Sequence, residues 1–227
     1  MILLFIAGIV AYVLWVNIYM IYIMMTVPKK SIKEINDEAK SGDIILFKQG
    51  YKSYFLKHVA NFSHTGVIIV HPITREKYIV ESFQMERDKV YLHETDGVHI
   101  FPLYNKLMEY DGELFHLKLR NSVDDSIVMK FINNLPSIMK DISFNYDLEN
   151  YIMTTCTTKR LCPHCFDYKK YSNKLVCTEF TAFVLKKLGI ISPDIDHYCL
   201  FPGDFRNIIE NGIQIYEQLS YINRKNI

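Results

Sequence analysis

An excess of charge of either sign is missing from this chain: 26 Lys+Arg stand against 25 Asp+Glu, a net charge of +1. That balance points to neither nucleic acid nor an acidic substrate as partner. Cysteines are few, odd in number at five, and irregularly spaced. They exclude the framework of a secreted disulfide scaffold and imply free thiols in a reducing compartment. No glycine-rich phosphate loop, internal repeat or low-complexity linker occurs. Between Ile2 and Val27 there is no charge at all.

That uncharged run of about 25 residues, interrupted only by Gly8 and Asn17, is long enough to cross a bilayer. It has no basic region before it and no small-residue cleavage site, so it reads as an uncleaved signal anchor. Tyr12, Trp15, Tyr19 and Tyr22 suit a membrane helix, although they are not confined to its ends. Lys29, Lys30, Lys33 and Lys40 come after the run while nothing basic precedes it, which places the rest of the chain on the cytosolic side. The expectation is a single-pass membrane protein. Residues 1–28 form the anchor, with the lipid bilayer as partner through residues 2–27, and residues 29–227 form one domain large enough for a real core.

Ser31-Ile-Lys-Glu34 has the spacing of a capping box and predicts a short polar helix to about Lys40. Ser41-Gly-Asp43 then turns into an apolar strand at Ile44–Phe47. Tyr51 to Asn61 suits a helical excursion with Tyr54, Phe55, His58 and Val59 inward. His64 to Val70, β-branched on both faces, predicts a central strand with His64 at its mouth. Lys77–Phe83 comes next as another strand, on which Glu81 shares a face with Ile79 and Phe83, an apolar setting costly for an unpaired carboxylate. Further strands are expected at Val98–Phe101 and Glu113–Arg120, and a short helix at Leu103–Tyr110.

Asp124 to Met139 predicts an amphipathic helix with Ile127, Val128, Phe131, Ile132 and Leu135 inward and Pro136 ending or kinking it. Residues 150–173 read as a surface insertion. A short helix after Pro202 and an edge strand at Gln214–Tyr221 close an α+β fold built on an antiparallel sheet.

The stretch Lys174–Gly189 carries the chemistry. Cys177, Thr181, Val184 and Leu188 fall on one helical stripe. Ser172 or Asn173 can cap it, Glu179 lies in its first turn, Lys186 and Lys187 in its last, and Gly189 supplies a left-handed stop. Cys177 at the helix start is either a small core cysteine or a thiolate favoured by free amides and the helix dipole. A thiol nucleophile needs a base and usually a group that orients the base. His64 and Glu81, on neighbouring strands, could supply both, since such strands lie about 4.8 Å apart.

The ordered set Gly42-Asp43-Ile-Ile-Leu-Phe, Ser63-His64-Thr-Gly-Val-Ile-Ile, Tyr78-Ile-Val-Glu81-Ser, Tyr146-Asp147, Val176-Cys177-Thr-Glu-Phe and Pro202-Gly-Asp-Phe resembles the circularly permuted papain-like hydrolases of the NlpC type, in particular the YiiX/YaeF-like amidases. In that family histidine and its polar partner precede the cysteine, as they do here. The resemblance covers about residues 41–210. It implies a permuted papain-like fold, with Cys177 as nucleophile, His64 as general base, Glu81 orienting the imidazole, and Tyr146 and Asp147 shaping the site. The implied activity is hydrolysis of amide bonds, in peptide or peptidoglycan-like substrates, through an acyl-enzyme and without a cofactor. Related permuted folds of the lecithin retinol acyltransferase type imply a lipid acyl substrate instead, and an inactive, membrane-tethered binding module is the non-enzymatic alternative. The insertion departs from the family: Cys156, Cys162, His164 and Cys165 could hold zinc or be free thiols in a loop. Cys199 and the remaining histidines, His99 and His116 among them, are read as ordinary.

Overall fold

The computed structural model describes residues 2–49, 62–83, 97–142, 175–194, 200, 202–210 and 212–224, without the side chains of residues 2–6, Ile9, Gln49, Phe83 and Glu210. The chain opens with helix α1 (Ile2–Thr26), which carries no charged residue. Among the described residues, no helix is long and apolar enough to cross a membrane. Strand β1 (Lys29–Ser31) leads into α2 (Ile32–Glu38). The capping box is formed: Glu34 N donates to Ser31 Oγ at 3.1 Å and Ser31 N to Glu34 Oε2 at 2.6 Å.

Then come β2 (Ile44–Gln49), β3 (His64–Val70), β4 (Lys77–Phe83), β5 (Gly97–Pro102), α3 (Leu103–Glu109), β6 (Gly112–Leu119), α4 (Asp125–Asp141) and α5 (Cys177–Lys187). A 3-10 turn (Pro202–Asn207), a small hairpin of β7 (Ile209–Glu210) and β8 (Ile213–Gln214), and β9 (Tyr216–Asn223) finish the described fold.

The fold is α+β around a mixed sheet whose seven described strands run β1-β9-β6-β2-β3-β4-β5. The expected antiparallel sheet with Gln214–Tyr221 at its edge is corrected by β1, which pairs parallel with β9 and covers it. The physical cause is a contact between the two ends of the fold. Tyr221 N donates to Pro28 O at 2.9 Å, drawing the extended residues between Pro28 and the Ser31 cap alongside β9. Three residues are too few to show a period of two.

One face of the sheet, through Leu46, Val67, Val80 and Phe115, packs under α5, α4 and part of α1, and the other, through Ile45, Phe47, Ile68 and Ile79, packs under α2 and α3. In α4, Val128, Phe131 and Leu135 are buried as expected, but Ile127 is exposed, and the helix runs on through Pro136 to Asp141. Gly189, at φ +68°, stops α5 as expected. The proposed inward residues of 51–61, Tyr146 and Asp147, the insertion at 150–173 with its four candidate zinc ligands, and Cys199 lie outside the described residues.

Candidate active site

Helix α5 opens at Cys177, directly after the extended Val176. The expected caps Ser172 and Asn173 lie outside the described residues and too early for this start, and Val176 has no side-chain oxygen to offer the first amides. Two other bonds fix this end. Val176 N donates to Glu179 Oε2 at 3.1 Å, and Ser82 Oγ on β4 donates to Leu175 O at 2.9 Å. The helical ladder begins with Phe180 N to Val176 O at 2.9 Å, so the amides of Cys177 and Thr178 come before it. Thr181, Val184 and Leu188 of the expected stripe are buried. Cys177, at the open end of that stripe, is half-buried and not in a disulfide.

His64 is the first residue of β3 and keeps 21% of its side-chain surface exposed, whereas Glu81 on β4 keeps none. His64 Nε2 donates to Glu81 Oε2 at 2.7 Å. The Cys177 sulfur lies near enough to the imidazole to raise its pKa, and with Nε2 taken, Nδ1 is the nitrogen left for sulfur. The structure thus joins sulfur, imidazole and carboxylate in one chain of contacts. Gly66 makes room for it on the same face of β3: a Cβ there would stand 2.9 Å from Ile79 and 3.3 Å from Glu81 Cβ. The Phe47 ring, 5.1 Å from the His64 ring between centroids, walls one side.

Lys106 was not legible as part of this site. It projects from α3 onto Glu81 Oε1, the carboxylate oxygen His64 does not use. Its Nζ lies 4.5 Å from the Phe101 ring centroid and 5.8 Å from that of Phe47. A lysine on a short, half-polar helix carries no signal of its own; only the α3–β4 packing brings it to Glu81. His99, read as ordinary, is paired directly across from Glu81 in the β4–β5 register.

These contacts set the charges. Burial alone would push the Glu81 carboxyl up, but the Lys106 ammonium and then His64 outweigh it and hold the pKa at about 2. Burial likewise opposes an imidazolium at His64, yet the Cys177 sulfur and the Glu81 carboxylate raise its pKa from 6.5 to about 9. Tyr110, at the end of α3, is raised by burial and by the Glu81 charge, so its phenol stays protonated. The arrangement can keep a protonated imidazole beside the sulfur at neutral pH.

No family model matches this chain, and no curated protein matches it. Among the described residues there is also no cluster of three or more metal-ligating side chains.

Proposed function

We propose that this chain is a thiol enzyme of acyl transfer, a hydrolase of amide bonds in peptide or peptidoglycan-like substrates, related to the circularly permuted papain-like hydrolases. One observation carries the reading: an imidazole held between a half-buried thiol and a buried, charge-compensated carboxylate. In this mechanism His64 takes the proton of Cys177, and the thiolate attacks the substrate carbonyl, forming a C–S bond. The amides of Cys177 and Thr178 are the donors available to the oxyanion. As the tetrahedral species collapses, the C–N bond breaks and His64 passes its proton to the leaving amine. Water then attacks the thioester, giving one proton through His64 back to sulfur and releasing the acid. Glu81 orients the ring, and Lys106 keeps Glu81 ionised.

A second reading keeps these residues but moves the carbonyl to a lipid acyl ester, as in enzymes of the lecithin retinol acyltransferase type. It is favoured by the apolar surface of α1, where Trp15, Ile18 and Met25 are 56%, 65% and 77% exposed. In both readings α1 associates with membrane.

Labelling with an electrophilic thiol probe, with peptide mass analysis as the readout, tests the shared chemistry. Cys177 should react faster than Cys199, and His64→Ala should slow it. Equal rates at the two cysteines, or a Cys177 rate indifferent to His64, would sink the activated thiol. Turnover of amide substrates against acyl-ester vesicles then separates the two readings.

A further inference from the structure

We infer that α1 lies in the plane of a membrane surface, with one side seated on its own domain and the other in lipid, instead of crossing the bilayer. The inference rests on the proposal that α1 meets membrane and changes how it does so.

The seated side is defined by burial. Val16, Met20 and Ile23, at i, i+4 and i+7, are 1%, 1% and 2% exposed, and Met20 and Ile23 belong to the core that holds Leu46, Phe115 and Phe180. Tyr19 on the same side accepts at its hydroxyl from Arg206 Nη1 at 3.1 Å. A helix held this way cannot also pass those turns through hydrocarbon. Val16 to Ile23 cover about two turns of α1, and seating them on the core withholds them from a continuous span of roughly 20 residues.

The opposite side has the chemistry of an interfacial helix. Leu14, Trp15, Ile18, Ile21, Tyr22 and Met25 are each more than half exposed, and no charged residue interrupts them. In a crossing helix Trp15 and its neighbouring tyrosines would fall at the bilayer centre, whereas Trp and Tyr favour the headgroup boundary. In the plane, every one of them sits at that boundary. Lys29 and Lys33, exposed just beyond the helix, suit anionic headgroups at the same level. The occupant of this face is therefore an anionic bilayer surface.

Trp15 is the only tryptophan in the chain, so the test needs no substitution. The full chain is bound to phosphatidylserine-containing vesicles whose acyl chains carry bromine either near the headgroup or near the methyl end. In-plane seating predicts that the shallow label quenches Trp15 more strongly, by about twofold or more, for a ring held roughly 5–10 Å below the headgroups. An N-terminal tag should stay open to protease added from the side of the domain. Stronger quenching by the deep label, with the tag protected, would overturn the in-plane seating and leave the membrane proposal standing. No quenching by either label, with the chain left unbound, would overturn the membrane proposal itself.

Discussion

Two histidine–carboxylate pairs lie on the same face of the sheet, and they differ in what surrounds them. His64 donates to Glu81 at 2.7 Å at the open end of β3, and His116 donates to Asp43 at 2.8 Å in mid-sheet. The first imidazole keeps 21% of its surface and meets a thiol; the second keeps none, and neither does its partner. Each pair receives a charged residue from the covering helices, but of opposite sign. Lys106 of α3 lies on the Glu81 carboxylate, whereas Glu38 of α2 stands 3.8 Å from His116 Nδ1. Asp43 also accepts from Leu119 N at 2.8 Å and Lys40 N at 3.0 Å, tying the start of β2 to β6. In the proposed mechanism one carboxylate orients a base open to substrate, whereas the other clamps backbone. A His–carboxylate pair alone is therefore no evidence of catalysis; access and a third reacting group distinguish the two.

The widest contrast is expected from removing each ring. His116→Ala should cost about 3–5 kcal/mol of stability in urea titrations, because it leaves a cavity and an uncompensated buried carboxylate, while Cys177 in the folded fraction alkylates at the wild-type rate. His64→Ala should do the reverse. The chain stays folded, but alkylation of Cys177 at pH 6.5 falls about 100-fold, the loss of the assistance a positioned base gives. If the two variants behaved alike, the distinction between site and clamp would collapse.

Glu81→Gln should lower the Cys177 alkylation rate about 10- to 100-fold, the cost of a charge-assisted hydrogen bond of about 1.5–3 kcal/mol. Because Glu81 helps raise the His64 pKa, the alkaline loss of the ion pair should move below about pH 9. Linkage fixes the sign. The His64 pKa is raised from 6.5 in the fold, so its contribution to stability is complete below pH 6.5 and is lost as pH climbs through about 9. A rate–pH profile with an unmoved alkaline limb would assign the raised pKa to other groups.

Gly66→Ala forces a methyl against Ile79 and Glu81, with an expected cost of about 1–3 kcal/mol by thermal or urea unfolding. A smaller loss at neutral pH is expected of Lys106→Met, and its signature is pH dependence. Glu81 contributes stability above pH 4.5 that is lost only as pH falls toward about 2. Without the ammonium the carboxyl rises, so the acid loss of Cys177 reactivity and of stability moves to higher pH. Lys106→Arg should restore the wild-type limb; if it does not, the lysine is only packing against Phe101.

Much of the architecture was legible because each signal is local. The capping box at Ser31, the β-branched run of β3, the cysteine helix and its Gly189 stop all depend on neighbours a few residues away. The errors were long-range. β1 is three residues and pairs with a strand near the other end of the chain, and Ile127 fits the apolar stripe of α4 yet faces outward. In the site, Cys177, His64 and Glu81 could be nominated from residue type and position, since a thiol at a helix start and a histidine at a strand mouth have few neighbours to satisfy them. Lys106, Gly66 and the second pair, His116 and Asp43, carry no such mark.

By itself the sequence determined the α+β element types, the uncharged first helix and the three residues named for chemistry, all consequences of periodicity, capping and charge along the chain. Only the tertiary structure decided that sulfur, imidazole and carboxylate touch, that a lysine from α3 compensates the carboxylate, and that α1 is seated on the core through Val16, Met20 and Ile23. Those are matters of distance between residues remote in sequence, set by how two faces of one sheet are covered.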